Sequence, residues 1–500
     1  MNYRSTRGEE KSLTSAEAII NGQANDNGLY VPETFPKLSI DMIQNLIKQP
    51  YYKRASTILS MFLSDFTYDE LETYSAEAYK YDPGTGFTDT RIAPVYKIND
   101  NTSISELWHG PTSAFKDMAL QLMPLLLTAS LKKTGNTKKA CILVATSGDT
   151  GKAALEGFRD VPGTMIMVFY PLTGVSDVQK LQMTTQAGEN VCVTAIEGNF
   201  DDAQTGVKSV FSDNDTKSKI NEKNMILSSA NSINWGRLVP QIVYYISSYC
   251  DMIKNNDIKP GEKINFCVPT GNFGNILSAY YAERMGLPIN KLICASNRND
   301  VLNQFIKTGV YNKNRPFYTT VSPSMDILIS SNLERLLFEL SEKDGKTVSN
   351  YMSSLSSDGQ YKIPDSVKNE LSRLFASEYC SEESTKQTIA KTFNEYNYLI
   401  DTHTAVAVSV LDEYRKTTGD DTMSVVVSTA NPFKFCDAVL DALGQPFTGN
   451  AETLLKSLSE TSGQLIPVQL AELYNLTPRF NKTVKINEMK NAVIDFIGGR

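Results

Sequence analysis

An α/β architecture built on parallel sheet is what this 500-residue chain predicts. Two observations carry it. Short, continuously apolar, β-rich runs recur at 139–145, 164–170, 191–196, 264–268, 292–295 and 424–427. Helical patterns separate these runs, and strands apolar on both faces belong to a parallel sheet covered by helices on either side. In chain order, residues 1 to about 95 read as a separate α-rich unit. Helical patterns at 15–21, 40–49 and 55–66 alternate there with polar breaks, up to the loop Tyr81-Asp82-Pro83-Gly84-Thr85-Gly86. The α/β body is expected over 96–430, with a helix-like run at 118–127, a helix from Lys152 and another over 238–248. Residues 310–395 break the rhythm. They are polar, Ser- and Lys-rich, helical in pattern at 327–340 and 366–378, and read as an insertion. Residues 431–500 read as a helical segment completing the body.

Composition narrows the function. Apolar content of 41% and charged content of 21% are those of a soluble globular protein. A net charge of −7 with no long basic run argues against nucleic acid as a partner. No run of about 18 apolar residues suggests a membrane span, and the first residues lack the apolar core of a signal peptide. The seven cysteines are scattered, with no CxxC pair, which fits a reducing cytoplasm and argues against disulfides or structural zinc. With two histidines, His109 and His403, a three-histidine metal site is impossible.

The stretch Glu106-Leu107-Trp108-His109-Gly110-Pro111-Thr112-Ser113-Ala114-Phe115-Lys116-Asp117 sets one lysine just past a Gly-Pro turn at the start of an apolar run. Losing water there lowers an ammonium's pKa, as a Schiff-base lysine needs. Ligands in open α/β sheets bind beyond the carboxyl ends of strands, and three strand ends carry unusual loops. Thr146-Ser147-Gly148-Asp149-Thr150-Gly151 reads either as a helix cap with a turn glycine or as an anion cradle. It is no nucleotide P-loop, because Thr146 and Ala153 stand where that motif needs Gly and Ser or Thr. Thr270-Gly271-Asn272-Phe273-Gly274-Asn275 has two glycines three apart, permitting positive φ and close approach of an anion. Ser428-Thr429-Ala430-Asn431-Pro432 offers hydroxyls to a ring nitrogen, or is simply a helix start capped by Asn431. Asn231-Ser232-Ile233-Asn234-Trp235-Gly236-Arg237 opens a helix with two amides and an arginine, suited to a phosphate or carboxylate or else to capping. His403 reads as a structural residue of a capped first turn, and His109 as the better candidate for a site wall.

Together these motifs resemble the threonine synthases, pyridoxal-phosphate enzymes of the fold family that includes tryptophan synthase β and cysteine synthase. The resemblance starts at Tyr3-Arg4-Ser5-Thr6-Arg7-Gly8 and Asp26-Asn27-Gly28-Leu29-Tyr30-Val31-Pro32. It runs through the lysine motif and the loops above, Ser322-Pro323-Ser324-Met325-Asp326-Ile327 and His403-Thr404-Ala405-Val406, to Ser428-Thr429-Ala430. Length and the 310–395 stretch resemble the family's long-chain branch, which commonly has His where Asn431 stands. The resemblance implies a tryptophan synthase β-like fold (type II) and pyridoxal 5′-phosphate as cofactor. It implies conversion of O-phospho-L-homoserine and water to L-threonine and phosphate, the last step of threonine biosynthesis, in a cytoplasmic monomer. Lys116 would hold the cofactor and move protons; Gly271, Asn272, Phe273, Gly274 and Asn275 would bind its phosphate, and Thr429 would face its ring nitrogen. Ser147, Gly148, Asp149 and Thr150 would hold the substrate carboxylate, and Asn231 and Arg237 the substrate phosphate.

Overall fold

Two parallel sheets organise the molecule. The computed structural model describes residues 1–8 and 11–498, with Asp201 by its backbone alone. Five parallel strands, in spatial order Thr483–Val484, Val191–Ile196, Thr164–Pro171, Lys139–Ala145 and Met225–Ser229, form one sheet. The other has six, in the order Phe375–Tyr379, Ile289–Ser296, Ile264–Pro269, Ser424–Ser428, Thr102–Glu106 and Val95–Asn99. All of its pairs are parallel except the closing hairpin 95–106. The apolar runs therefore lie in strands as expected, and they are buried along nearly their whole length because helices cover both faces.

The helix boundaries differ where proline or a turn resets the chain. The run 118–127 is two helices, Asp117–Leu120 and Met123–Lys133, the second restarted with Pro124 in its first turn. Pro240 likewise divides Trp235–Leu238 from Pro240–Lys254. The helix expected from Lys152 already begins at Asp149.

The largest departures fall within 310–395. Its expected helix over 327–340 is confined to Leu333–Leu340, preceded by a short turn at Pro323–Met325. The helix expected over 366–378 ends at Leu374, and Phe375–Tyr379 is a strand pairing parallel with 289–296, Leu292 opposite Phe375. Five residues alternating between buried and half-buried faces are too few to set a period-two pattern apart from the amphipathic helix before them. Phe375 fixes the edge by stacking on Phe273, ring centroids 5.8 Å apart. The C-terminal segment is also mixed, since helices 436–442, 451–462 and 489–498 flank the edge strand 483–484.

The N-terminal helices share a core with the body. Fully buried Trp235 meets Tyr3 at 5.2 Å, Phe62 at 5.8 Å and Tyr281 at 5.9 Å between ring centroids. The N-terminal motif is a staple: Thr6 Oγ1 and Arg7 Nε donate to Glu334 Oε1 at 2.6 and 3.0 Å. Among the described residues no helix is long and apolar enough to cross a membrane, and no cluster of metal-ligating side chains occurs.

Candidate active site

The carboxyl ends of strands 139–145, 264–269 and 424–428 open onto one cavity, which draws on both sheets. Lys116 stands in its wall at the N-terminal end of helix 117–120. The loop before it is locked from within. Asp117 accepts from the Thr112 N–H and hydroxyl, both at 2.8 Å. A Cβ at Gly110 would lie 2.4 Å from the Asp117 side chain, so only glycine fits there. Burial raises the Asp117 carboxyl to about 6, against the pull of the Thr112 bonds. Lys116 Nζ donates to Asp149 Oδ2 at 2.9 Å and Ser324 Oγ at 3.3 Å, and lies 4.6 Å from the Phe115 ring centre. Burial lowers its pKa, with Asp149 opposing and Lys434 and Arg237 adding to the effect.

Opposite stands the loop 271–275. The residue in left-handed conformation is Phe273, at φ 62°, while the two glycines serve close approach. A Cβ at Gly271 would meet the Ser324 carbonyl at 2.6 Å, and one at Gly274 the Ser232 side chain at 3.3 Å. Segment 324–332 clamps the loop. Ser330 Oγ donates to Gly271 O at 2.7 Å and Asn332 Nδ2 to Asn272 O at 2.9 Å. Helix Gly274–Met285 points its N-terminus at the cavity wall. Asn275 Oδ1 accepts from Tyr244 and Tyr245, the latter at 2.6 Å, leaving its buried Nδ2 without a partner. Arg237, in the same wall, donates from Nη1 to Ala230 O at 2.6 Å while its Nε is unpaired. Two buried donors without acceptors on one cavity are what a bound anion would satisfy.

Of the sequence candidates, Lys116, Ser147, Thr150, Asn231, Arg237, Gly271, Asn272, Phe273, Gly274, Asn275 and Thr429 line this cavity together. Gly148 and Asp149 are not among the residues that line it, and their polar groups are engaged by protein partners. The Gly148 N–H is already taken by Thr146 Oγ1 at 2.9 Å. The Asp149 carboxylate sits in an ion-paired cluster with Lys116 and Lys434, held well below the usual carboxylate range by both ammoniums against burial. Gly148, at φ 137°, lets Gln179 close over it and donate to Asp149 Oδ1 at 2.7 Å. At 428–432 Asn431 caps the turn Pro432–Phe435, its side chain accepting from the Phe433 N–H at 3.0 Å, while Ser428 Oγ receives Trp108 Nε1 and Thr404 Oγ1 and Thr429 lines the cavity.

The two histidines exchange roles. His403 lines the cavity, its Nδ1 on Asp401 at 2.8 Å and its Nε2 accepting from the Ser324 N–H at 3.2 Å. His109 stands behind the wall on Glu106, 2.6 Å away, stacked on Trp108. Sequence reading also missed Lys434, Ser324 and Gln179, whose partners lie 30 to 322 residues away in the chain. Only the Ser322–Ile327 motif carried a signal for any of them.

Models of known families match most of the chain: the threonine synthase N terminus at residues 2–79, pyridoxal-phosphate-dependent enzymes at 103–429 and the threonine synthase C-terminal region at 404–497. The threonine synthase of Pseudomonas aeruginosa is 39% identical over 447 residues, covering 89% of this chain and 91% of its own. The chain belongs to the threonine synthase family. Human threonine synthase-like 1 is 40% identical over 480 residues, 94% of this chain, and the chain spans 62% of that longer relative. The pyridoxal-phosphate-bound threonine synthase of Brucella melitensis superposes with a TM-score of 0.86 at 36% identity, covering 99% of both chains. The fold is accordingly that of type II pyridoxal-phosphate enzymes, and the family's cofactor is pyridoxal phosphate. The cavity fits it: one buried lysine, a helix N-terminus with an orphaned amide donor, and a free hydroxyl at Thr429.

Proposed function

We propose that the chain is a threonine synthase, converting O-phospho-L-homoserine and water to L-threonine and phosphate. The observation that carries this reading is the unpaired edge of buried Arg237 in the cavity of Lys116 and the 271–275 loop. One cavity thus offers donors for two phosphates, the cofactor's and the leaving group's.

Bound pyridoxal phosphate supplies the electron sink for negative charge at the substrate Cα. Gly271 to Asn275 bind its phosphate through backbone N–H groups, the Asn275 amide and the helix N-terminus. Thr429 offers a neutral hydroxyl to the ring nitrogen. Lys116 would hold the cofactor, and as a neutral amine it takes the proton from the substrate Cα and then from Cβ. Arg237 and Asn231 hold the γ-phosphate and stabilise its departing charge. Ser147 and Thr150 face the substrate carboxylate. After the phosphate leaves, a proton delivered to Cγ completes the methyl group, water adds its hydroxyl at Cβ while its proton balances the released phosphate, and Lys116 returns a proton to Cα. A cytoplasmic monomer is part of the proposal, its cytoplasmic part supported by seven free thiols, six of them buried.

Incubation of cofactor-loaded protein with O-phosphohomoserine tests it. Threonine and phosphate in equal amounts are expected. Phosphate with a 2-keto acid would make the chain a phospholyase, and no phosphate would overturn the substrate.

A further inference from the structure

We infer that Lys434 is a positioning residue for the proposed proton transfers: its ammonium keeps Asp149 ionised and in place while Lys116 gives up and regains its proton. The inference rests on Lys116 being the residue that carries the proton.

The geometry is a closed cluster. Lys434 belongs to the turn Pro432–Phe435 just beyond strand 424–428. It has no solvent exposure, and its Nζ reaches Asp149 Oδ1 at 2.8 Å and Thr112 O at 2.9 Å. The same Asp149 oxygen receives Gln179 Nε2 at 2.7 Å, and Oδ2 receives Lys116 Nζ at 2.9 Å. Asp149 is thus shared by two buried ammoniums, of which only Lys116 lines the cavity.

Charge explains why two are needed. With Lys116 as its sole partner, Asp149 would become an isolated buried carboxylate whenever that lysine turned neutral. Such a group is strongly disfavoured, so Asp149 would hold Lys116 in its protonated form and spoil it as a base. With Lys434 present the cluster passes from one net positive charge to zero. The Lys434 charge also opposes protonation of Lys116, as does Arg237 across the cavity. The remaining ionisable groups around Lys116 are fixed by their own bonds. Asp117 is held by Thr112, His403 by Asp401 and the Ser324 N–H, and Asp326 by Thr320, Asn297 and Asn299. Anchored on Thr112 O, Lys434 also ties the cluster to the loop that carries Lys116.

The test reads Lys116 alone. Cofactor-free protein is pulsed with acetic anhydride across pH, and acetylation of the Lys116 peptide is followed by mass spectrometry. The inference expects Lys434→Met to raise the midpoint by about one pH unit, tenfold in the protonation equilibrium, and Asp149→Asn to lower it. If Lys434→Met does not fold, Lys434→Gln, which keeps a donor towards Asp149 and Thr112, carries the same reading. An unchanged or lowered midpoint in the charge-removing variant would overturn the inference. No substrate enters the measurement, so a failure to make threonine would not be mistaken for its failure.

Discussion

Arg335 and Arg237 are both buried guanidiniums, and burial pulls both down to about 10. Their surroundings differ completely. Arg335 is closed: Nε donates to Tyr30 O at 2.9 Å, Nη1 to Ser232 O at 3.1 Å and to Asn332, and Nη2 to Ile233 O at 2.7 Å. It bolts the N-terminal unit, the 231–237 loop and the 310–395 stretch together. Arg237 is open, with one carbonyl on Nη1 and nothing on Nε. The lysines repeat the contrast, Lys434 sealed against Thr112 and Asp149 while Lys116 faces the cavity. Desolvation alone therefore does not mark a functional cation. What sets Arg237 apart is a buried donor left unsatisfied on a residue that lines the cavity.

Substitutions can break this contrast. The largest effect is expected at the open lysine. Lys116→Ala should remove the absorbance of lysine-bound cofactor and cut turnover by more than roughly a thousandfold, as stopped assays with O-phosphohomoserine would show. At the closed arginine the loss should be in folding. Arg335→Ala strands several buried carbonyls and should lower stability by about 3 kcal/mol, read from denaturant unfolding. At the open arginine folding should survive. Arg237→Ala should raise KM by roughly a hundredfold, about 2.7 kcal/mol of charge-assisted bonding, with an unfolding midpoint close to the parent's. If Arg237→Ala unfolded as readily as Arg335→Ala, the contrast would collapse.

A smaller effect separates the lysine loop's own clamp. The Asp117 carboxyl is raised in the folded chain, so folding favours its protonated form. The associated stability is present below about pH 4 and lost as pH rises through about 6. Relative to Asp117→Asn, the parent should lose stability over that interval, and thermal unfolding of the two proteins across pH would reveal it. Equal slopes would mean that the Thr112 bonds cancel the effect of burial.

Much of this was legible in the sequence because it rests on local pattern. Continuous apolar runs announced the buried parallel strands, and the glycines of 271–275 marked a loop that packs against the Ser324 carbonyl. What escaped depends on contacts made across the chain. Asp149 looks like a helix cap until Lys434, 285 positions later, folds onto it. His403 looks like part of a capped first turn until Ser324 N–H arrives at its Nε2. The strand 375–379 was hidden by the amphipathic helix that runs into it without a break. That miss obscured how far the 310–395 stretch belongs to the site, where it supplies Ser324, the clamp on the glycine loop and Arg335.

The most direct measurement of the central claim is calorimetric titration of inorganic phosphate into cofactor-loaded protein, compared with Arg237→Ala. The account predicts a site that is saturable, weakened by salt and lost in the variant while the cofactor stays bound. Equal phosphate affinity in both proteins, or loss of the cofactor in the variant, would contradict it.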